Sequence, residues 1–224
     1  MVRVSQMEKE NRTLLIEGAK AFGIDLDEKG IEAFDLYLRE LLKWNQKINL
    51  TAIRTEKGIV LKHFLDSLSV NPYLSDVCAL LDIGSGAGFP GIPLKIIDPT
   101  LEVTLIDSVR KKVDFQKHII RTLRLKGIDA IHGRVQDREV VQRLGERFDV
   151  VISRAFSDLS TLLNLSQPFL KKGGKVLAMK GKREGEESPS PSERERTPFH
   201  LKKAVSFPLP FSSFKRTILV FQKE

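Results

Sequence analysis

LLDIGSGAGFPG, residues 80–91, runs from apolar residues through an acid into four glycines within eight positions. Leu80, Leu81 and Ile83 read as a buried strand, and Ile92, Leu94, Ile96 and Ile97 resume at roughly helical spacing. Between them Gly84, Gly86, Gly88 and Gly91 strip side chains from the backbone where it turns. Strand, glycine turn and helix form the entrance of a nucleotide-type ligand site, because backbone N–H groups and a helix start then come close to the ligand. A tight turn with close helix packing and no ligand is the bland alternative.

The same alternation continues toward the C-terminus. Apolar runs at CALLDI, LEVTLID, IDAIHG, FDVVIS, GKVLAM, KKAVSF and RTILVF are separated by helix-compatible or loop segments, the signature of a mostly parallel α/β sheet. VSFPLPFSSFKR, between the last two runs, is too short for a helix, so those runs are expected to pair antiparallel at one sheet edge. Residues 183–198, REGEESPSPSERERTP, hold three prolines and no aliphatic or aromatic residue, and read as a mobile loop within the domain.

Upstream of the glycine turn the pattern is helical. Asp25 with Glu28 suggests a capping box, and Ile31, Phe34, Leu38 and Leu41 recur on one helix face that must dock on something. Asn45, Asn49 and Thr51 weaken that helix, and LKHFLDSLSV begins a second amphipathic stretch. We therefore divide the chain into an N-terminal helical extension, 1–75, and a principal α/β domain, 76–224.

Composition restricts the partners. The 224 residues carry 37 Lys and Arg against 29 Asp and Glu, a net +8 that favours a polyanion. Cys78 is the only cysteine, which excludes an intramolecular disulfide framework and a Cys-rich metal site and fits a reducing compartment. Set in an apolar run, it is expected to pack rather than react. His63, His118, His132 and His200 are scattered without metal-ligand spacing. MVRVSQMEKENR lacks a signal-peptide core and no apolar run approaches the ~18 residues of a membrane span, so a cytoplasmic protein is expected.

Two cofactor classes use such a turn. From Gly86, GAGFPG satisfies G-x-G-x-x-G, and Asp107 closes the next strand where an acid holds a ribose hydroxyl, so an NAD-dependent oxidoreductase stays open. Three features favour S-adenosylmethionine. Asp82 before Gly84 suits a ligand with a cationic amino acid end and would repel a pyrophosphate. The chain leaves no room for a separate hydride-acceptor domain, and VISRAF, 151–156, puts a cation at the carboxyl edge where open α/β sheets bind ligands.

LKWNQKINLTAI, HFLDSL, LLDIGSGAGFPGIPL, LIDSVRKKVDF, FDVVISRAF and AMKGK follow one another as in the RsmG family, also called glucose-inhibited division protein B, which the chain resembles over residues 30–181. The terminal strand KRTILVFQK resembles it more loosely. The resemblance implies a seven-stranded class I methyltransferase fold with an N-terminal helical extension, and methyl transfer to N7 of a guanine in small-subunit (16S) ribosomal RNA. It further implies that Gly84 and Phe89 line the cofactor loop, that Val135 and Gln136 flank the adenine, and that Arg154 reaches cofactor or substrate. Gly86 and Asp107 join them on grounds common to class I enzymes. Where the family commonly has an acid this chain has Gln136 followed by Asp137, and either could meet the adenine edge.

Guanine N7 has an in-plane lone pair and no proton, so no catalytic base is expected and catalysis rests on positioning. Lys111, Arg134, Lys180 and Lys182 lie near strand ends and are the expected RNA contacts, with Asp66 poised between a helix contact and the substrate. Arg110, Lys117, Arg121 and Arg124 form a basic stripe on one helix, with Val109, Ile119, Ile120 and Leu123 on another face. The expected partner is 16S rRNA, the small subunit or an assembly intermediate, met by a monomer; a noncatalytic assembly factor that retains the fold is the second alternative.

Overall fold

The computed structural model describes residues 6–154, 156, 158–181 and 198–224. Lys182 and the loop expected at 183–198, apart from Pro198, lie outside the described residues.

Seven strands form one sheet in the order β3-β2-β1-β4-β5-β7-β6. They are β1 (Ala79–Ile83), β2 (Glu102–Asp107), β3 (Ile128–His132), β4 (Phe148–Ser153), β5 (Leu170–Gly181), β6 (Phe199–Pro208) and β7 (Lys215–Lys223). The first five are parallel, while β7 runs antiparallel between β5 and β6, which places the expected antiparallel pair at the sheet edge. From β1 the chain winds outward through β2 and β3, then returns to start β4 on the other side of β1. The crevice at the carboxyl ends of β1 and β4 is therefore the point where the winding reverses, the position at which open α/β sheets accept ligands.

Alternation along the strands explains why both faces are covered. Leu80, Val150, Ile152, Leu177 and Met179 belong to one buried cluster, and Leu81, Val151, Val176 and Ala178 to the other. The second face is closed by α7 (Arg138–Leu144) and α8 (Leu159–Ser166), through Leu144, Leu162 and Leu163. The first is closed by α5 (Gly91–Ile97), α6 (Arg110–Thr122) and the N-terminal helices α1 (Lys9–Lys20), α2 (Glu28–Asn45), α3 (Glu56–Ile59) and α4 (Asp66–Leu68). A π-helical stretch, Val60–Leu65, joins α3 to α4.

The apolar face of α2 docks as its spacing predicts: Ile31, Phe34, Leu38 and Leu41 are buried, and Tyr37 joins them. Burying each large side chain stabilises by about 1.5–3 kcal/mol, so this one helix face is a major part of the core. Tyr37 packs on Phe64, Phe89 and Phe115 with ring centroids 5.5, 5.3 and 6.3 Å away, joining the N-terminal helices to the glycine turn and α6 in one core.

Several local readings are corrected. Asp27, not Asp25, caps α2, its carboxylate accepting the Gly30 N–H at 2.7 Å, while Glu28 pairs with Arg12. Cys78 is exposed, lying just ahead of β1, where its N–H donates to Asp149. Val109 is also exposed, and the buried face of α6 is Val113, Phe115, Gln116 and Ile119. Arg124 falls beyond the end of α6, so the basic stripe is shorter than its spacing suggests.

Candidate cofactor cleft and the adjoining cationic cavity

A cleft of about 230 Å³ opens at the carboxyl ends of β1, β2 and β3. Ile83 and Ile106 give it an apolar floor, Gly84 and Asp107 one wall, Gly133 through Gln136 another, and Phe156 reaches in from beyond β4. A larger cavity, about 640 Å³, lies away from these strand ends, among Ile24, Lys95 and Leu125.

The glycine turn is held from three directions. From the sheet, the N–H groups of Gly84 and Ser85 donate to the Ile106 carbonyl at 2.9 and 3.2 Å. From α6, buried Gln116 donates to the Gly86 carbonyl at 2.7 Å and to Ser85 Oγ at 2.8 Å. From α2, the Tyr37 hydroxyl donates to the Ala87 carbonyl at 2.5 Å, and burial raises its pKa well above the ordinary phenol value. Gly86 itself takes φ +60°, a conformation that costs an L residue about 1–2 kcal/mol, and a side chain built there would meet nothing nearer than Gly84 O at 4.0 Å.

Asp107 joins turn and cleft. One carboxylate oxygen accepts the Gly86 N–H at 2.9 Å and the other the Val109 N–H at 2.8 Å. A carboxylate has about four acceptor positions, so further donors at the cleft wall are still accommodated. Asp82 behaves differently from the sequence expectation. It is fully buried, takes no part in lining the cleft, and accepts the Gly91 N–H at the start of α5 at 2.9 Å. Its other oxygen has no partner among the described residues, and burial pushes its pKa up to about 7. Through Gly91 it ties the strand end to the start of α5.

Of the predicted cofactor residues, Gly84, Asp107, Val135 and Gln136 come together at the cleft, with Arg134 beside them. Asp137 turns back to accept the Arg134 N–H at 2.9 Å, leaving Gln136 as the one that lines the cleft. Phe89 does not line it: its ring is buried behind the turn, stacked on His63 at 4.5 Å and Tyr37 at 5.3 Å. Lys111 is exposed in the first turn of α6 and does not line the cleft. Lys182 lies outside the described residues.

Arg154 belongs to a second cavity of about 300 Å³, shared with Lys62, His63, Asp66, Lys180 and Arg216. Asp66 is almost wholly buried, with one oxygen 3.2 Å from Arg154 Nη1 and the other accepting from Arg216 Nε at 2.7 Å. Arg154 also donates to the Lys62 carbonyl at 3.1 Å and to His63 Nδ1 at 3.1 Å. That nitrogen must be unprotonated to accept, which assigns the imidazole proton to Nε2, 2.8 Å from Thr51 Oγ1. Burial and then the charge of Arg154 lower the His63 pKa to about 3, so the ring is neutral.

The two cavities share no lining residue. They lie on either side of the β1 and β4 tips, which Ser153 Oγ ties together by donating to the Ile83 carbonyl at 2.7 Å. Phe156, Tyr37, Gln116 and Arg216 were absent from the sequence-predicted site. Only Phe156 had a local signal, its place in ISRAF; the others act through contacts that spacing does not encode.

Comparison with known proteins bears on this arrangement. The family GidB, described as rRNA small subunit methyltransferase G, matches residues 30–211. Ribosomal RNA small subunit methyltransferase G of Acetivibrio thermocellus is 42% identical over 221 residues, covering 98% of this chain and 91% of the relative. The protein of the same name from Geobacter metallireducens is 42% identical over 220 residues, 97% of this chain and 99% of its own. Among solved structures, TrmN from Thermus thermophilus superposes with a TM-score of 0.53 at 15% identity, over 74% of this chain and 53% of that one, a likeness of fold.

Proposed function

The chain belongs to the GidB family, and on that premise we propose that it transfers a methyl group from S-adenosylmethionine to N7 of a guanine in 16S ribosomal RNA. The observation that carries the proposal is the pairing of a polar, glycine-walled cleft with a separate cationic cavity on the same carboxyl edge of a class I methyltransferase sheet.

The cleft fits the methyl donor. Gly84 and Gly133 put no side chain on its walls, Gly86 lies outside the lining in the turn that Asp107 holds, and Asp107 has acceptor capacity for ribose hydroxyls. Val135 and Ile106 give apolar packing for a purine, with the Gln136 amide at its edge. Bound there, the cofactor supplies a methyl group on a cationic sulfur. The protein's residues need only orient the acceptor, because N7 presents a lone pair in the ring plane and no proton has to be removed. No residue is assigned as a base. Arg154, on the acceptor side of the β1 and β4 tips, donates to guanine O6 or to a phosphate and leaves N7 free. The basic surface, including Arg134, Lys111 and Lys180, supports a polyanionic substrate, met in the cytoplasm by a monomer.

Single-turnover transfer of labelled methyl to naked 16S rRNA, small subunits and assembly intermediates tests this, with the product nucleotide mapped. The expected product is 7-methylguanine at a single position. Absence of transfer to all three would leave the noncatalytic assembly factor, and calorimetric binding of NAD in place of S-adenosylmethionine would support the oxidoreductase.

A further inference from the structure

Among the described residues, the cationic cavity sets two guanidiniums on a single carboxylate. Lys62, Arg154 and Arg216 line it with a neutral His63, and among the described residues Asp66 is the one carboxylate on its walls. Asp66 is the hub. Arg154 follows β4 and Arg216 lies in β7, 150 residues from Asp66, yet each engages a different oxygen of the same carboxylate. One negative charge shared between two guanidiniums fixes their relative orientation but leaves an excess of positive charge in a confined space. Like charges held in a partly desolvated hollow repel, and a bound anion is what relieves them.

The wall chemistry narrows the anion. Two planar guanidiniums, with the Lys62 ammonium beside them, match oxygens spread over a tetrahedral centre. The one aromatic ring among the described lining residues, His63, is already stacked on Phe89 and engaged through both ring nitrogens, so the walls offer donor groups more than a free stacking face. We propose that the cavity seats one backbone phosphate of the RNA strand that carries the target guanine, with Asp66 as the positioning residue that sets Arg154 and Arg216 around it. This rests on the RNA-methyltransferase reading and assigns Lys62, Asp66 and Arg216 to substrate binding.

The test uses the full chain, a single-stranded oligoribonucleotide covering the methylated region, and titrations at a series of salt concentrations. Arg216→Gln should weaken RNA binding about tenfold and reduce the salt slope by about 0.7, while calorimetric affinity for S-adenosylmethionine stays unchanged. Arg216→Lys should restore most of the slope. Asp66→Asn separates positioning from charge, because it makes the cavity more positive yet should weaken RNA binding; a purely electrostatic attraction predicts tighter binding. Thermal midpoints confirm that each variant is folded, and the two Arg216 variants suffice if Asp66→Asn is not. Unchanged RNA affinity and salt slope in Arg216→Gln overturns the proposal. Equal loss of S-adenosylmethionine affinity does so too, by assigning the cavity to the cofactor's carboxylate. Wild-type protein that shows the phosphate-dependent binding but methylates no small-subunit RNA defeats the enzymatic reading and not this site.

Discussion

Replacing Asp82 with Asn should expose a pH dependence of stability that the wild-type chain conceals. In the folded protein Asp82 keeps its proton up to about pH 7, whereas unfolded it loses it near 3.8. The folded state therefore holds one extra proton across that interval, and Asp82's contribution to stability is lost as pH rises toward 7. His63 works in the opposite sense. Folded, it stays neutral down to about pH 3; unfolded, it takes up a proton below 6.5, so its contribution is lost as pH falls through that range. Between about pH 4 and 6.5 the two slopes oppose one another and largely cancel. Asparagine retains an acceptor for the Gly91 N–H but cannot titrate, so the His63 slope stands alone. One proton corresponds to about 1.4 kcal/mol per pH unit. At roughly 2–4 °C per kcal/mol for a domain of this size, Asp82→Asn should gain roughly 3–6 °C in midpoint per pH unit relative to wild type. The assay is thermal unfolding of both proteins at half-unit pH steps, read as a difference so that titrations common to both drop out. Parallel profiles through the window would refute the reasoning, and His63→Gln should give the mirror-image slope.

The remaining predictions concern the glycine turn. Tyr37→Phe strands the Ala87 carbonyl and should cost about 1–3 kcal/mol, seen as a lower thermal midpoint together with weaker S-adenosylmethionine binding by calorimetry. Asp107→Asn sets an amide N–H₂ against the N–H of Gly86 or Val109 and should weaken cofactor binding by roughly tenfold to a hundredfold, measured by calorimetry. Gly88→Ala should destabilise the fold, because φ there is +99° and the new methyl would press on Ile92 and lie 2.9 Å from the Tyr37 hydroxyl. Gly86→Ala meets no side chain and should cost only the strain of its positive φ, about 1–2 kcal/mol, less than Gly88→Ala, a contrast that unfolding measured on both variants will show.

Short-range pattern made much of this legible. Alternating apolar runs announced the strands, the missing helix before the last run announced an antiparallel edge, and Asp107 stood out as the acid closing the second strand, whereas Val135 and Gln136 came only from the family resemblance. The errors have physical causes. Asp25 and Asp27 are equally good caps by residue type, and only the chain's path selects Asp27. Cys78 and Val109 adjoin apolar runs, but each sits one step outside its element, where burial ends. The family resemblance put Phe89 in the cofactor loop, and what draws its ring away from the cleft is aromatic partners, Tyr37 and His63, from helices far upstream. Arg216 carried no motif at all. Its meaning comes from Asp66, and a contact across 150 residues leaves no trace in local spacing.

The position of β7 has a consequence for how the chain is made. It follows β6 in sequence, yet lies between β5 and β6 in the sheet. While a nascent chain emerges, β6 therefore has no neighbour to pair with, and β5 presents an open edge that only later residues cover. The preceding strands and their helices are already available to fold, so the cofactor cleft, built from β1, β2 and β3, is complete before the opposite cavity, which waits for Arg216 to arrive with β7. A growing chain would thus acquire the means to hold its methyl donor before the means to grip an acceptor.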